Sequence, residues 1–158
     1  MANPLVELIA QNIETAVNEI TAANGYNQDL TAVRPKRWDP FGDGGPDNGI
    51  VYIVQTDEEP MSDPDGPVGR KEWIQTFVLI AVVLDSDSAT ESIDTRINRV
   101  RADIQKKLMV DPTRGARAID TYMGPSSIVN DGQGMSGVEV EMMVHYRVNY
   151  EDPYTSGL

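Results

Sequence analysis

His145 is the only imidazole in the chain, and cysteine is missing altogether. Thiolate nucleophiles, disulfides and thiolate metal sites are therefore excluded. A general base needs a nucleophile or an acid within hydrogen-bond reach, and no known catalytic pattern surrounds His145, which reads as a surface or interface histidine. Hard oxygen ligands are more plentiful. Asp63-Pro64-Asp65-Gly66 and Asp85-Ser86-Asp87-Ser88 space their carboxylates as calcium loops do. Neither reaches the Glu at the twelfth position that completes such a loop, so the first reads as a turn and the second as a helix cap. Gly42, Gly44, Gly45 and Gly49 lack the Lys-Ser/Thr ending of a phosphate cradle, as does Gly132-Gln133-Gly134. Ser126-Ser127 lacks the flanking glycines and the strand-turn-helix setting of a nucleophile elbow. No catalytic residue, metal ligand or cofactor site is assigned, and the expectation is a protein that is not an enzyme.

The charges are more informative than any single side chain. A net charge of -12 argues against general duplex DNA binding, because affinity for phosphate comes mainly from Lys and Arg. The few cations cluster: Arg96, Arg99, Arg101, Lys106 and Lys107 fall in one predicted helix. The acids cluster elsewhere, with Asp39, Asp43, Asp47, Asp57, Glu58, Glu59, Asp63 and Asp65 in one central stretch. Three readings stand side by side: a solvated basic face paired with acidic neighbours, basic and acidic surfaces of successive subunits meeting, or a basic stripe facing DNA inside a ring. Trp38, Phe41, Trp73 and Tyr122 are either core or, if exposed near the loops, interface anchors.

These groups must be positioned by a chain of 158 residues, which suits one domain spanning residues 1–158. Residues 137–150 alternate strictly, with Val138, Val140, Met142, Val144, Tyr146 and Val148 against Glu139, Glu141, Met143, His145 and Arg147. Period two predicts a strand with one buried and one polar face. Residues 70–84 predict a second long strand, whose apolar run over 77–84 implies burial on both faces or contact with another molecule. Leu5, Leu8, Ile9, Ile13, Ala16, Val17 and Ile20 predict a helix over 4–23. Ile93, Ile97, Val100, Ile104 and Leu108 predict another over 89–108, capped from the Ser, Asp and Thr cluster at 85–90 and closed by Asp111-Pro112. Residues 31–38 suit an edge strand because Pro35 lacks a donor. A compact strand over 49–55 and one near 116–123 follow, with loops at 39–49 and 56–69 and a turn-rich link over 124–134. The fold class expected is α+β, a mainly antiparallel sheet with two helices packed on one face. No apolar run approaches the ~20 residues of a membrane helix, and the chain is expected to be soluble and unprocessed.

The layout as a whole resembles the tail terminator, or tail completion, proteins of long-tailed bacteriophages. An amphipathic first helix leads to Gly25-Tyr26, an extended Ala32-Val33-Arg34-Pro35, a loop, a short strand at Ile50-Val51-Tyr52-Ile53-Val54, a long strand, the helix ending at Leu108 and a closing strand pair. Head-tail connectors and tail-tube subunits share much of this order. The resemblance implies a structural virion protein of the neck, assembled in the bacterial cytoplasm as a ring, commonly a hexamer, on the last ring of the tail tube. Its implied partners are further copies of itself, the tail-tube protein and the head-tail connector protein, with genomic DNA passing the lumen unbound and no membrane involved. Loop placement and charge segregation make Trp38, Phe41, Asp57, Glu58, Glu59, Arg96, Arg99 and Arg101 the expected subunit interface. The rival of a different class is a small module that binds a metal or ligand through its acidic loops.

Overall fold

The computed structural model describes residues 2–36, 47–61, 70–84, 89–130, 135–149 and 151–158. Helix α1 (Leu5–Asn18) begins directly after Pro4, whose missing N–H is no loss at a helix start. Leu5, Ile9, Ala10, Ile13 and Val17 form its buried row at three- and four-residue spacing. The helix stops at Asn18 and not near residue 23. A 3-10 turn (Ala22–Asn24) takes over, with the Thr21 hydroxyl accepting from the Asn24 amide. Gly25 closes that turn at φ 83°, a left-handed conformation that glycine adopts freely.

Strand β1 (Thr31–Val33) is an edge strand and pairs in parallel with β2 (Ile50–Pro60). Its Ala32 amide is taken by the Asn18 side-chain oxygen at 2.9 Å. Arg34, just beyond, grips both oxygens of Glu7 on α1 at 2.6 and 2.8 Å, which fastens the sheet edge to the first helix. Strands β3 (Arg70–Leu84) and β5 (Met135–Asn149) pair antiparallel without a register break, from Arg70 opposite Asn149 to Leu84 opposite Met135. Strand β4 (Asp120–Asn130) lies outside β5, and β6 (Asp152–Ser156) continues that side past the end of β4. The order is β1-β2-β3-β5-β4, antiparallel except for the first pair. Helix α2 (Ile93–Leu108) lies beside α1 and completes an α+β fold with both helices on one face of the sheet.

The core follows from the strand alternation. Val51, Ile53, Phe77, Leu79, Ala81, Val83, Val138, Val140, Met142 and Val144 share one face and pack against Ile97, Val100, Ile104 and Leu108 of α2 and the buried row of α1. The apolar run at 77–84 therefore divides, every second residue entering the core while Val78 and Ile80 stay half-buried on the outer face. One polar tie supports the helix layer: Asp103 is buried and accepts from both the Asn27 amide and its side-chain nitrogen, each at 2.9 Å.

Further boundaries differ from the sequence reading, with β1 confined to Thr31–Val33 and α2 starting at Ile93. Strand β2 runs on to Pro60, so the loop expected over 56–69 loses residues 56–60, of which Glu58, Glu59 and Pro60 pair with β3 after a register shift between Gln55 and Glu58. Strand β4 occupies 120–130, covering much of the stretch expected as a link, because Gly124-Pro125 falls in a register shift between Met123 and Ser126 on an outer strand. Ser92, two positions past the expected cap cluster, caps α2, accepting from the Thr95 amide at 3.3 Å. Strand β6 has no counterpart in the sequence reading.

Candidate functional site

The expected interface residues separate into two groups. Asp57, Glu58 and Glu59 are exposed on the last turn of the β2 ribbon, where Glu58 pairs with Gln75 and Glu59 with Ile74. Arg96 and Arg99 lie three residues apart on the first half of α2, hence on one face. They line a cavity of about 570 Å³ shared with Asn27, Asn48, Leu84 and Glu91. Leu84 ends β3 and Gln75 lies nine residues before it, so the acidic and basic groups stand about 30 Å apart along the strand, toward different ends of the sheet. Arg99 reaches Glu91 at 2.5 Å, an exposed pair worth little by itself. Arg101 turns away from both, toward Asn98 at 2.9 Å and Ser126 on β4 at 3.5 Å. Lys107 is held at 2.5 Å by Glu19, the residue just past the end of α1. Part of the basic helix is thus neutralised within the chain. Trp38 and Phe41 lie outside the described residues, as do Asp63, Asp65, residues 85–88 and the glycines at 42, 44, 45, 132 and 134.

The acidic end holds an apolar cleft of about 390 Å³, walled by Val6, Trp73, Val148 and Pro153. At its floor Tyr146 donates to a Glu58 carboxylate oxygen. Burial first, and then that carboxylate, push the Tyr146 hydroxyl far up, so it stays protonated and keeps the proton it donates to Glu58. Trp73 packs against the core on the helix-bearing face, while Tyr122 is exposed on the opposite face, opposite Met143. The two do not form the aromatic patch that their types allowed.

His145 corrects the expectation of a surface histidine: it is 8% exposed on the outer sheet face. Its Nε2 lies 2.9 Å from Glu72, whose other oxygen accepts from the Arg147 guanidinium, with Nε at 2.8 Å. Arg147 above all, helped by His145, holds the Glu72 carboxyl below the usual carboxylate range against the opposing effect of burial. A carboxylate depressed in this way stabilises the fold above its unfolded value of about 4.3 and loses that contribution as pH falls through its lower folded value. Urea midpoints followed from neutral pH into that acid window should fall less steeply for Glu72→Gln than for the parent chain; equal slopes would show that the cluster contributes nothing.

One structured group escaped sequence reading. Arg114 is 1% exposed, has φ 51°, and donates to the Leu108 carbonyl at the C-terminus of α2, where a cation suits the helix dipole. Nothing in the local sequence marks it, since the contact depends on how the chain folds back after the helix. Among the described residues no group of three or more His, Cys, Asp or Glu could hold a metal ion, and no helix is long and apolar enough to cross a membrane. What the arrangement offers is two charged ends of opposite sign, an apolar cleft beside one of them, and sheet edges at β2 and β4. No protein-family model matches the chain, and no curated protein matches it.

Proposed function

We propose that this protein is a structural virion subunit of the tail-terminator kind: it closes into a ring of about six copies on the end of a phage tail tube, stops tube growth and joins the tail to the head. The observation that carries this reading is the distance between the acidic end of β2 and the basic face of α2. Patches of opposite sign about 30 Å apart along one sheet cannot satisfy each other within a chain. They can do so head to tail between copies, and a heterologous contact of that type closes a ring when its rotation permits. Two further features support it. Strand β4 and residues 53–60 of β2, past the end of β1, are outer strands that can extend a sheet from copy to copy. A net charge of -12 suits a lumen through which genomic DNA slides without binding. The tail-tube protein below and the head-tail connector above are the partners of the two ring faces, and the neck of the virion is the location. A connector or tube subunit is the nearest alternative within the same class.

Reversing the basic end tests the pairing. Arg96→Glu with Arg99→Glu should leave the far-ultraviolet circular dichroism unchanged, since Arg99 is exposed and Arg96 lies outside the core, while lowering ring stability by at least about tenfold in dissociation constant. Adding Asp57→Lys and Glu59→Lys in the same chain should restore part of the loss. Assembly indifferent to both sets of changes would overturn the charge-pairing scheme.

A further inference from the structure

The corner after α2 presents two apolar side chains to solvent: Met109 is 42% exposed and Val110 is 71% exposed. Single exposed apolar residues need no explanation, but this corner is held with unusual firmness. Asp111 accepts from the Thr113 amide and hydroxyl at 3.1 and 2.8 Å and from the Gly115 amide at 2.6 Å. The Arg117 and Ala118 amides both return to the Thr113 carbonyl, at 2.9 and 2.8 Å. Arg114, buried beneath, ties the loop to the helix end. Arg114, Gly115 and Ala116 all have positive φ (51°, 68° and 60°), which costs energy at the two residues that carry a side chain. Backbone strain and a buried guanidinium are thus used to fix an outward-pointing apolar knob, and a rigid knob loses little entropy on docking.

An apolar recess exists elsewhere on the same chain. The cleft at the acidic end is walled by Val6, Trp73, Val148 and Pro153, with Glu58 and Glu151 also lining it and Lys71 as the one cation among its lining residues. The knob follows directly on the last turn of α2, where Lys106 is exposed while Lys107 is already paired with Glu19. Knob and cleft cannot meet within one chain. The cleft touches α1 at Val6, whereas Val110 shares its surroundings with Ala16, ten residues and about 15 Å further along that helix.

We propose that the cleft receives the Met109–Val110 corner of a second copy, with the exposed Lys106 at the helix end of one copy against the acidic cleft of the next. This rests on the self-association proposed above and adds to it the apolar anchor, since charge pairs at a rim set register and rate more than affinity.

Because the chain has no cysteine, two single-cysteine variants report the contact cleanly. Val110→Cys and Pro153→Cys both change exposed positions and should fold. Full-length chains of the two variants are mixed, oxidised gently and run on a non-reducing gel. A disulfide requires Cα atoms within about 7 Å, so a 110–153 heterodimer that dominates either homodimer is the expected result. Val110→Asp should independently weaken association at least about tenfold. A defined multimer in solution without the 110–153 bond overturns the knob and leaves the ring intact. A Val110–Val110 homodimer as the main product overturns it in favour of a symmetric contact. A chain that stays monomeric at every concentration and forms no bond overturns the knob together with self-association.

Discussion

Phe77→Ala should cost about 3–5 kcal/mol of folding stability, the range for deleting a fully buried aromatic ring. Phe77 is 0% exposed at the middle of β3, where its ring lies between Met142 on β5 and the helix layer. Its neighbours belong to long, hydrogen-bonded strands that cannot collapse into the gap, so the cavity penalty adds to the lost transfer energy. Against a typical total of about 5–15 kcal/mol, that is enough to leave a marginal fold. Val78→Ala is the internal control, because Val78 is half-buried on the outer face and should lose much less. Guanidinium titrations of both variants, with unchanged slopes, make the comparison. Equal losses would mean that the two faces of β3 are wrongly assigned.

Gly137→Ala should also be strongly destabilising, for a different reason. A Cβ built at Gly137 would sit 2.4 Å from the Ala81 carbonyl oxygen, well inside any real contact. That oxygen belongs to the backbone of β3, so relief requires the β3–β5 ladder to part locally. Overpacking of this kind costs about 1–3 kcal/mol, and more where the obstacle is backbone. Gly25→Ala is the comparison, since no heavy atom lies within 4 Å of its built Cβ and only the left-handed backbone resists the change. A larger thermal shift at position 137 than at 25 is the expected outcome, and the reverse order would show that the strands separate more easily than the register implies.

How much of this was legible beforehand depended on whether local pattern and tertiary pairing agreed. Residues 137–150 alternate so strictly that β5 could be read directly, and the row from Leu5 to Val17 identified α1. Strand β4 was unreadable over Gly124-Pro125-Ser126-Ser127 because glycine, proline and serine signal turns, and only a partner with a register shift makes a strand of them. The same holds for Thr56 to Pro60, whose charges deny any apolar alternation although Gln75, Ile74 and Trp73 lie across from them. Propensity lost to pairing in both places.

The charged residues were legible as two clusters in the chain, but their arrangement was not. Nothing in the sequence says that Arg101 leaves Arg96 and Arg99 for Ser126, or that Glu58 spends one oxygen on Tyr146. His145 fell on the polar side by alternation, yet Glu72 and Arg147 enclose it, so parity placed it correctly on its face while giving the wrong exposure. The opposition of acidic and basic ends arises from the run of β3 from Gln75 to Leu84, which carries one away from the other.

The most direct measurement is the mass of the purified protein by light scattering over a concentration series at low and moderate salt. The ring reading expects a defined multimer near six times the 17.4 kDa chain, with dissociation favoured as salt screens the contacts between charged ends. A mass of one chain at every concentration and salt would contradict it.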